Sequence, residues 1–336
     1  VIVENSHTPA PTTAPSVVYP SPDIVLPTAT PSPTPEPTPT PFPEYDIHLL
    51  AVGDNLMHMG IVRTGKQPDG TYNYDFLFDN ITEYLDLAEI KIINQETILA
   101  GNHLGFSGFP AFNSPTEVGD AIANAGFNAV LHSSNHTTDQ GLDGLLCCMD
   151  YWQQNHPDIL VCGISDPEAE TDIPLLTIDD YTFAILNYTY SPNSAVLKNE
   201  YMDYLDMLCN YDRQTGAIDF TTLNPDVIED IKLAKTMADI VIVCPHWGNE
   251  YQTSPSRYQE KFATQMAEAG ADLIIGTHPH VPQPVEWLEC NDGRRTLCYY
   301  SLGNYVSTQK QAICMLEGMA WVSFHVTEAG ISISED

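Results

Sequence analysis

The chain has 336 residues, of which 43% are hydrophobic and 17% charged, which is enough for a substantial buried core. Its 12 Lys and Arg residues stand against 45 Asp and Glu, giving a formal net charge of -33. That excess repels nucleic acid and anionic lipid, because affinity for phosphate groups comes from basic residues. We therefore expect no nucleic-acid partner. No run of about 18 apolar residues occurs, so the chain is expected to contain no transmembrane segment.

Residues 1–44 differ in composition from the rest of the chain. Half of the 26 prolines lie here, and the stretch PTATPSPTPEPTPTPFP alternates Pro with small or polar residues. Such a segment has few backbone donors and little apolar surface, which predicts a disordered, polyproline-II-like tether. Pro/Thr tethers hold domains away from a membrane or wall, so we expect an extracellular location, with any signal or anchor preceding Val1. The alternative is a disordered cytoplasmic tail.

Residues 45–330 have the pattern of a globular α/β domain. Short aliphatic runs typical of buried strands alternate with amphipathic segments typical of helices. The region 190–222 is less periodic and is interpreted as an insertion or a long ordered loop. Strands are predicted over 46–54, 89–96, 127–136, 181–188, 239–247, 271–280 and 296–305, and helices over 114–127, 224–239 and 254–271, two of these opening with Ser-Pro as a cap.

Eight cysteines occur without a C-x-x-C pair, which argues against a thiolate zinc site. Cys290 and Cys298 flank NDGRRTL, which is interpreted as a hairpin tip, so they could pair across it. The sequence alone does not determine which cysteines, if any, form disulfide bonds.

Five of the predicted strands end in residues that can bind a metal ion. In layered α/β proteins, ligand sites form beyond the carboxyl ends of the strands, and strand ends hold side chains rigidly. Carboxylates, an amide oxygen and imidazoles together suit Mn, Zn, Fe or Co, and a carboxylate can bridge two such ions, which then activate water. The candidate residues are Asp54, Glu96, Asn135, His136, His246, His278 and His280.

Each of these residues, taken alone, also has an ordinary structural explanation. Asp54 could be a turn residue, Glu96 a helix cap and His246 a core histidine. The repetition of ligand chemistry at five strand ends favours a site. His132 is interpreted as packing beside its turn. The remaining histidines, His7, His48, His103, His156 and His325, belong to no cluster.

Six sequence blocks resemble those of the bacterial capsule synthesis (CapA, poly-γ-glutamate capsule) proteins over residues 46–327. They are AVGDNLMH, INQET, SSNHTTDQGLDG, PHWGNEY, GADLIIGTHPHVPQPVE and YSLGNY. That family looks like a branch of the calcineurin-like metallophosphoesterases. The resemblance therefore implies a four-layer αββα metallophosphoesterase-like sandwich with two divalent metal ions.

The resemblance also implies roles for the strand-end residues. Asn135 would be a metal ligand, and His136 would be the catalytic acid near the leaving group. Asp54, Glu96, His246, His278 and His280 would be metal ligands, with Glu96 in the bridging position.

Two departures from the metallophosphoesterase pattern affect the expected chemistry. Asp54 is followed by Asn55 and Leu56 instead of the Asp-x-His pattern, and the next histidine is His58. His58 either supplies the missing metal ligand or lines the pocket. Glu96 replaces an aspartate and lengthens the bridge by one methylene. Both changes favour retuned metal spacing or a different electrophile, such as an amide.

The expected function is an extracytoplasmic metal-dependent hydrolase-like protein of capsule (poly-γ-glutamate) or cell-wall polymer metabolism. Its substrate would be a phosphoester or a γ-glutamyl amide, and Glu250, Tyr251, Arg257 and Asn304 would line the substrate pocket. The expected partners are an anionic capsule or cell-wall polymer and a membrane synthase complex, although the acidic domain would repel a polyanion. The alternative is a non-catalytic accessory or scaffold protein of a polymer synthesis or export complex.

Overall fold

The computed structural model describes residues 42–168 and 173–335. The predicted tether lies outside the described residues up to position 41, and residues 42–44 have no regular secondary structure. No helix in the described ranges combines the length and apolarity needed to cross a bilayer. The helices are α1 (Met59–Thr64), α2 (Thr82–Leu85), α3 (Glu117–Asn124), α4 (Gly141–Asn155), α5 (Pro225–Met237) and α6 (Arg257–Ala269).

Two mixed β-sheets form the centre of the fold, and a small hairpin stands beside them. The strands are β1 (Tyr45–Asn55), β2 (Ile90–Asn94), β3 (Ala129–Leu131), β4 (Leu160–Cys162), β5 (Leu175–Ile178), β6 (Tyr181–Thr189), β7 (Cys209–Tyr211), β8 (Ile218–Leu223), β9 (Ile240–His246), β10 (Leu273–Ile275), β11 (Val285–Glu289), β12 (Arg295–Tyr299), β13 (Asn304–Val306), β14 (Ala320–Thr327) and β15 (Gly330–Ile333).

Parallel strands occupy the middle of both sheets, and their carboxyl ends set the place of the candidate site. The first sheet has the order β15-β14-β1-β2-β3-β4, with β13 also paired to β1. The second has the order β11-β12-β10-β9-β6-β5. Strands β1 to β4 are mutually parallel, as are β6, β9, β10 and β12, while β5, β11, β14 and β15 join antiparallel at the edges.

The alternation of side chains along β1 shows why the sheets are covered on both faces. Leu50 and Val52 point into a core shared with α1 to α4, whereas Leu49 and Ala51 point into a core between the sheets. A third core lies between the second sheet and helices α5 and α6. Three cores separate four layers, so the predicted four-layer αββα sandwich is confirmed.

Two of the three predicted helix starts are displaced. Helix α5 begins as predicted at Asn224-Pro225, and the Asn224 side chain accepts from the Asp226 N–H. The prediction of a Ser-Pro cap is wrong for the other two. Helix α6 is capped by Ser256, whose capping box with Gln259 satisfies two backbone donors. Helix α3 starts after Thr116, because Ser114 donates its hydroxyl to Thr97 instead.

The region 190–222 is ordered and contains the β7–β8 hairpin. Leu197 and Leu208 are buried in it, each at 0% exposure, so it packs as part of the domain. Whether it is an insertion stays a prediction.

All eight cysteines lie in the described ranges and are free thiols. The suggested pairing of Cys290 with Cys298 does not form. In the β11–β12 hairpin Cys298 faces Glu286, whereas the Cys290 N–H pairs with the carbonyl of Arg294. The two sulfurs therefore belong to different cross-strand positions.

Phe183 tests the core between the sheets, since its ring packs 5.1 Å from that of Phe324 with Phe183 0% exposed. Phe183→Ala is expected to lower the free energy of unfolding by about 3–5 kcal/mol through lost contacts and a cavity. Urea denaturation measures the change. Leu87→Ala, at a residue 61% exposed, serves as control and should stay within about 0.5 kcal/mol. Equal effects of both substitutions would contradict the assigned core.

Candidate metal centre

The carboxyl ends of strands from both sheets converge on one buried cluster. Strand β1 ends beside Asp54, and Glu96 and Asn135 follow β2 and β3 of the first sheet. From the second sheet, β9 ends at His246, and β10 is followed by two further imidazoles. The structure thus brings together Asp54, Glu96, Asn135, His246, His278 and His280, all of them buried.

Distances between polar atoms show how closely the six side chains meet. One ligand atom from each of Glu96, His278 and His280 lies within 4.8 Å of the others. Glu96 Oε1 is 3.7 Å from His246 Nε2, and Glu96 Oε2 is 3.8 Å from His280 Nδ1. His280 Nδ1 is 3.0 Å from Asp54 Oδ2, and His246 Nε2 is 2.8 Å from Asn135 Oδ1.

Buried atoms without partners show that this donor set fits a cation. Both carboxylate oxygens of Glu96, and Nδ1 of His278, are buried and have no hydrogen-bond partner among the described residues. A buried carboxylate left unpaired is strongly destabilising unless a cation or proton compensates it. Carboxylate oxygens and imidazole nitrogens are suitable ligands for Mn, Zn, Fe and Co. The arrangement can therefore hold at least one divalent ion.

Burial and mutual charge shift the protonation of the cluster. Burial raises the pKa of Glu96 well above its usual value, and Asp54 adds to this against the opposing effect of His280. Burial and the neighbouring imidazoles lower the pKa of His246 and of His278 well below the usual value, so both stay neutral, the form that binds metals. Burial lowers the pKa of His280, but Glu96 and Asp54 outweigh it and raise the value to about 9.

The turn after β10 holds two histidines in a conformation that favours glycine. His278 has φ 95° and His280 has φ 59°, and such positive values cost energy for residues with a Cβ. The turn is held because the His278 N–H donates to both Asp54 oxygens, at 3.2 and 3.3 Å. Gly276, two residues before His278, contributes by close packing, since a Cβ there would clash with the Tyr300 carbonyl.

His136 lies beside the cluster and is oriented by an acidic neighbour. Its Nδ1 is 2.7 Å from Asp139 Oδ2, which also accepts from the Phe112 N–H at 2.7 Å. The His136 ring stands edge-on to Phe112 at 4.6 Å, and Asn193 Nδ2 is 3.3 Å from Nδ1. These contacts fix Nδ1, so Nε2 is the nitrogen that could exchange a proton with a substrate.

His58 has no contact with the six clustered residues among the hydrogen bonds and ring pairs of the described residues. Its Nδ1 lies 3.2 Å from the Leu56 carbonyl and accepts from the Thr308 N–H at 3.4 Å. Its ring stands 5.5 Å from Phe112, on the side of His136. Burial lowers the pKa of His58. Of its two predicted roles, this placement favours lining the pocket.

The four predicted substrate residues lie in three different places. Tyr251 and Glu250 are exposed at the rim, with the Tyr251 ring 6.0 Å from that of His280. Asn304 is buried and donates from Nδ2 to the His280 carbonyl at 3.3 Å, which supports the turn. Arg257, at the start of α6, lines a neighbouring cavity instead of the cluster.

Sequence reasoning missed several residues that support the cluster from behind. Asn94 Nδ2 donates to Asp54 Oδ1 at 2.7 Å and lies 3.4 Å from His246 Nδ1. Thr277 Oγ1 is 3.0 Å from the same His246 nitrogen, and the Tyr190 ring lies 4.7 Å from that of His278. Such outer contacts fix the orientation of metal ligands. The signal for Asn94 was its position as the last residue of β2.

The described strands and helices have a metallophosphoesterase-like α/β fold, with this cluster at the strand ends. A solved structure of a putative 5'-nucleotidase from Staphylococcus aureus, in complex with alpha-ketoglutarate, superposes with a TM-score of 0.52. The match covers 86% of this chain and 53% of that chain at 18% sequence identity, which demonstrates a shared fold.

The particular family is shown by the sequence match. Residues 48–309 match the family described as Bacterial capsule synthesis protein PGA_cap, and the chain belongs to this family. The chain is 30% identical over 212 residues to the PGA biosynthesis protein CapA of Bacillus subtilis (strain 168), covering 62% of this chain and 50% of that protein. It is 26% identical over 291 residues to the capsule biosynthesis protein CapA of Bacillus anthracis, covering 84% and 64%. The matches thus span less than two thirds of these relatives.

His132 packs as predicted and does not join the cluster. It is 1% exposed, and Trp152 donates its indole N–H to His132 Nε2 at 2.7 Å. The other predicted background histidines in the described ranges make their contacts elsewhere or are exposed, and His7 lies outside those ranges.

Burial lowers the pKa of His132 from 6.5 to about 3, which predicts a pH effect on stability. Below about pH 6.5 the unfolded chain binds a proton here and the folded chain does not, so the free energy of unfolding falls on acidification. His132→Gln should reduce that fall by about 1.4 kcal/mol per pH unit between about pH 6 and pH 4. Urea denaturation at several pH values measures how the free energy of unfolding changes with pH in the parent chain and in His132→Gln. An identical pH dependence in the two chains would contradict the prediction.

Proposed function

We propose that this chain is a metal-dependent hydrolase of capsule or cell-wall polymer metabolism, working with two divalent ions. The observation that carries the proposal is the buried Glu96 carboxylate, whose oxygens lack hydrogen-bond partners in the described chain while neutral imidazoles face it. A folded protein retains such an arrangement where a cation compensates the buried charge. Membership of the capsule synthesis family supports the polymer context.

The ions would be held by residues from both sheets, with Mn, Zn, Fe or Co as suitable metals. When bound, such ions supply Lewis acidity toward an oxygen of the substrate and toward water. The proposed ligands are Asp54, Glu96, Asn135, His246, His278 and His280. Glu96 follows a strand of the first sheet and faces the imidazoles of the second.

His136 is the proposed proton donor to the leaving group. Asp139 accepts from Nδ1 and holds the ring in one orientation, which leaves Nε2 to protonate the departing atom. Phe112 packs against the ring and shields one side of it from water. Tyr251 and Glu250 stand at the rim, where an approaching substrate would meet them.

The proposed substrates are a phosphoester or a γ-glutamyl amide within an anionic capsule or wall polymer. A polyanion would be repelled by a chain of net charge -33. Bound divalent ions reverse the field locally, so the metal centre would be the attractive point of an otherwise repulsive surface.

An extracellular position is proposed from the Pro/Thr-rich composition of residues 1–44, which suits a tether to a membrane or wall. A membrane synthase complex is the proposed partner for a chain held in that place.

A non-catalytic accessory role is the second candidate, and one observation favours it. The Asp-x-His pattern would place an imidazole two residues after Asp54, where this chain has the buried Leu56, and the next histidine, His58, faces Phe112. A chain with fewer ligands could retain the fold and bind polymer without turnover.

Metal content separates these candidates. Purified, unchelated chain should contain about two transition-metal ions by elemental analysis. His278→Ala removes a buried ligand and should weaken metal binding by more than about tenfold. His103→Ala, which removes an exposed imidazole, is the matched control and should bind as the parent does. Absence of metal from the parent chain, even after incubation with Mn or Zn, would rule out the hydrolase.

Turnover tests the role of His136. The parent chain, loaded with Mn or Zn, is screened on phosphodiester, phosphomonoester and γ-glutamyl amide substrates. His136→Ala should lower kcat about a hundredfold to ten-thousandfold with metal content unchanged, as expected for a lost general acid. Asp139→Asn should give a smaller loss and an altered pH profile, because the ring loses its charged partner. Unchanged turnover in His136→Ala would remove the acid role.

A further inference from the structure

A second cavity lies next to the metal centre and has no role in the function proposed above. Its volume is about 420 Å³, which is within the range of small-molecule sites. It is bounded mainly by aromatic rings and by the first turn of α6, with Tyr190, Phe220, Trp247, Arg257, Tyr258 and Phe262 among its lining.

The cavity and the metal centre share a wall. The Tyr190 ring lies 4.7 Å from the ring of His278 on one side and 6.2 Å from the ring of Phe220 on the other. Trp247 follows His246 directly in the chain and also lines the cavity. The cavity therefore lies on the far side of the Tyr190 ring from His278, within the reach of a substrate larger than the group bound at the cluster.

Arg257 gives this cavity a positive charge. Its guanidinium lies 4.6 Å from the centre of the Tyr258 ring and donates to the Tyr258 hydroxyl at 2.6 Å. Arg213, Arg294 and Arg295 each pair with a carboxylate, whereas Arg257, like Arg63, forms no ion pair with any carboxylate in the described ranges.

Two further features favour an anion at this place. The capping box at Ser256 fixes the start of α6, and the positive end of the helix dipole adds to the charge of the guanidinium. In a chain with 45 acidic and 12 basic residues, an arginine without a carboxylate partner is a local reversal of the prevailing field.

We propose that this cavity is a substrate subsite that binds an anionic group, a carboxylate or a phosphate, on the part of the substrate beyond the scissile bond. The planar guanidinium suits the paired oxygens of such a group and disfavours a cationic occupant. The aromatic walls would pack against the apolar portion that carries it. The assignment as a substrate subsite rests on the proposed hydrolase function, because it places the scissile bond at the cluster.

Binding to the metal-stripped full chain tests the subsite without requiring turnover. The probes are phenylacetate, phenyl phosphate and the neutral phenylacetamide, titrated by ligand-observed NMR. One or both anions should bind at least about tenfold more tightly than the amide, and Arg257→Ala should remove that difference. Arg257→Lys should retain part of it. The relative affinity of the two anions identifies which group the subsite prefers.

Arg213→Ala is the matched control, since Arg213 is also exposed and also lies over a tyrosine ring, 5.8 Å from that of Tyr211. It should bind the anions as the parent chain does. Equal anion affinity in the parent and Arg257→Ala, or an equal loss in Arg213→Ala, would overturn the subsite.

Turnover by the metal-loaded chain separates this inference from the proposed function. If hydrolysis occurs and the subsite is correct, Arg257→Ala should raise KM about tenfold for substrates bearing a distal anion, with kcat largely retained. If hydrolysis occurs and KM does not depend on Arg257, the subsite proposal is wrong and the hydrolase proposal is retained. If Arg257 is needed for anion binding but the chain hydrolyses nothing, the hydrolase proposal is wrong and the cavity is an anion-binding site only.

Discussion

The structure depends on one unfavourable feature, a carboxylate buried where two sheets meet. Glu96 is 1% exposed, and its oxygens have no hydrogen-bond donor among the described residues. Burying a carboxylate without hydrogen-bond donors is costly unless a proton or a cation compensates it, and the raised pKa of Glu96 reflects that cost. The imidazoles that surround it, 3.7 and 3.8 Å away at the nearest nitrogens, come from the other sheet. A cation bound between the sheets would therefore compensate the Glu96 charge of the first sheet and be coordinated by imidazoles of the second.

The cluster takes its residues from both sheets, so the proposed function depends on how the two sheets pack. The first sheet contributes Asp54, Glu96 and Asn135, and the second contributes His246 and the turn after β10. The apolar core between the sheets fixes the distance between these two groups. The left-handed conformations of His278 and His280 are held by the same contacts, since Asp54 accepts from the His278 N–H. A change in how the sheets pack would therefore shift the proposed metal ligands and the turn after β10 together.

The sequence allowed much of this to be predicted, because parallel strands deliver their terminal residues to one edge. Asp54, Glu96, Asn135 and His246 were identified from strand ends, whereas the four-layer arrangement was implied by the resemblance to the capsule synthesis proteins. The sequence pattern could not show side-chain direction. Asn94 ends β2 and looked like an ordinary strand residue, yet its amide lies between a carboxylate and His246.

The errors have specific physical causes. A Ser-Pro pair predicted the start of α3, yet Ser114 donates to Thr97. Cys290 and Cys298 flank a turn, but the hairpin register places Glu286 opposite Cys298. Each outcome depends on which of several local partners a side chain meets in three dimensions, which spacing alone does not encode.

Anomalous diffraction from a crystal of this chain grown with Mn or Zn tests the central claim most directly. The account predicts anomalous peaks among Glu96, His278 and His280, with the Glu96 oxygens and the His278 nitrogen as ligands. Peaks confined to surface carboxylates, with Glu96 protonated and bonded to a neighbour instead, would contradict it.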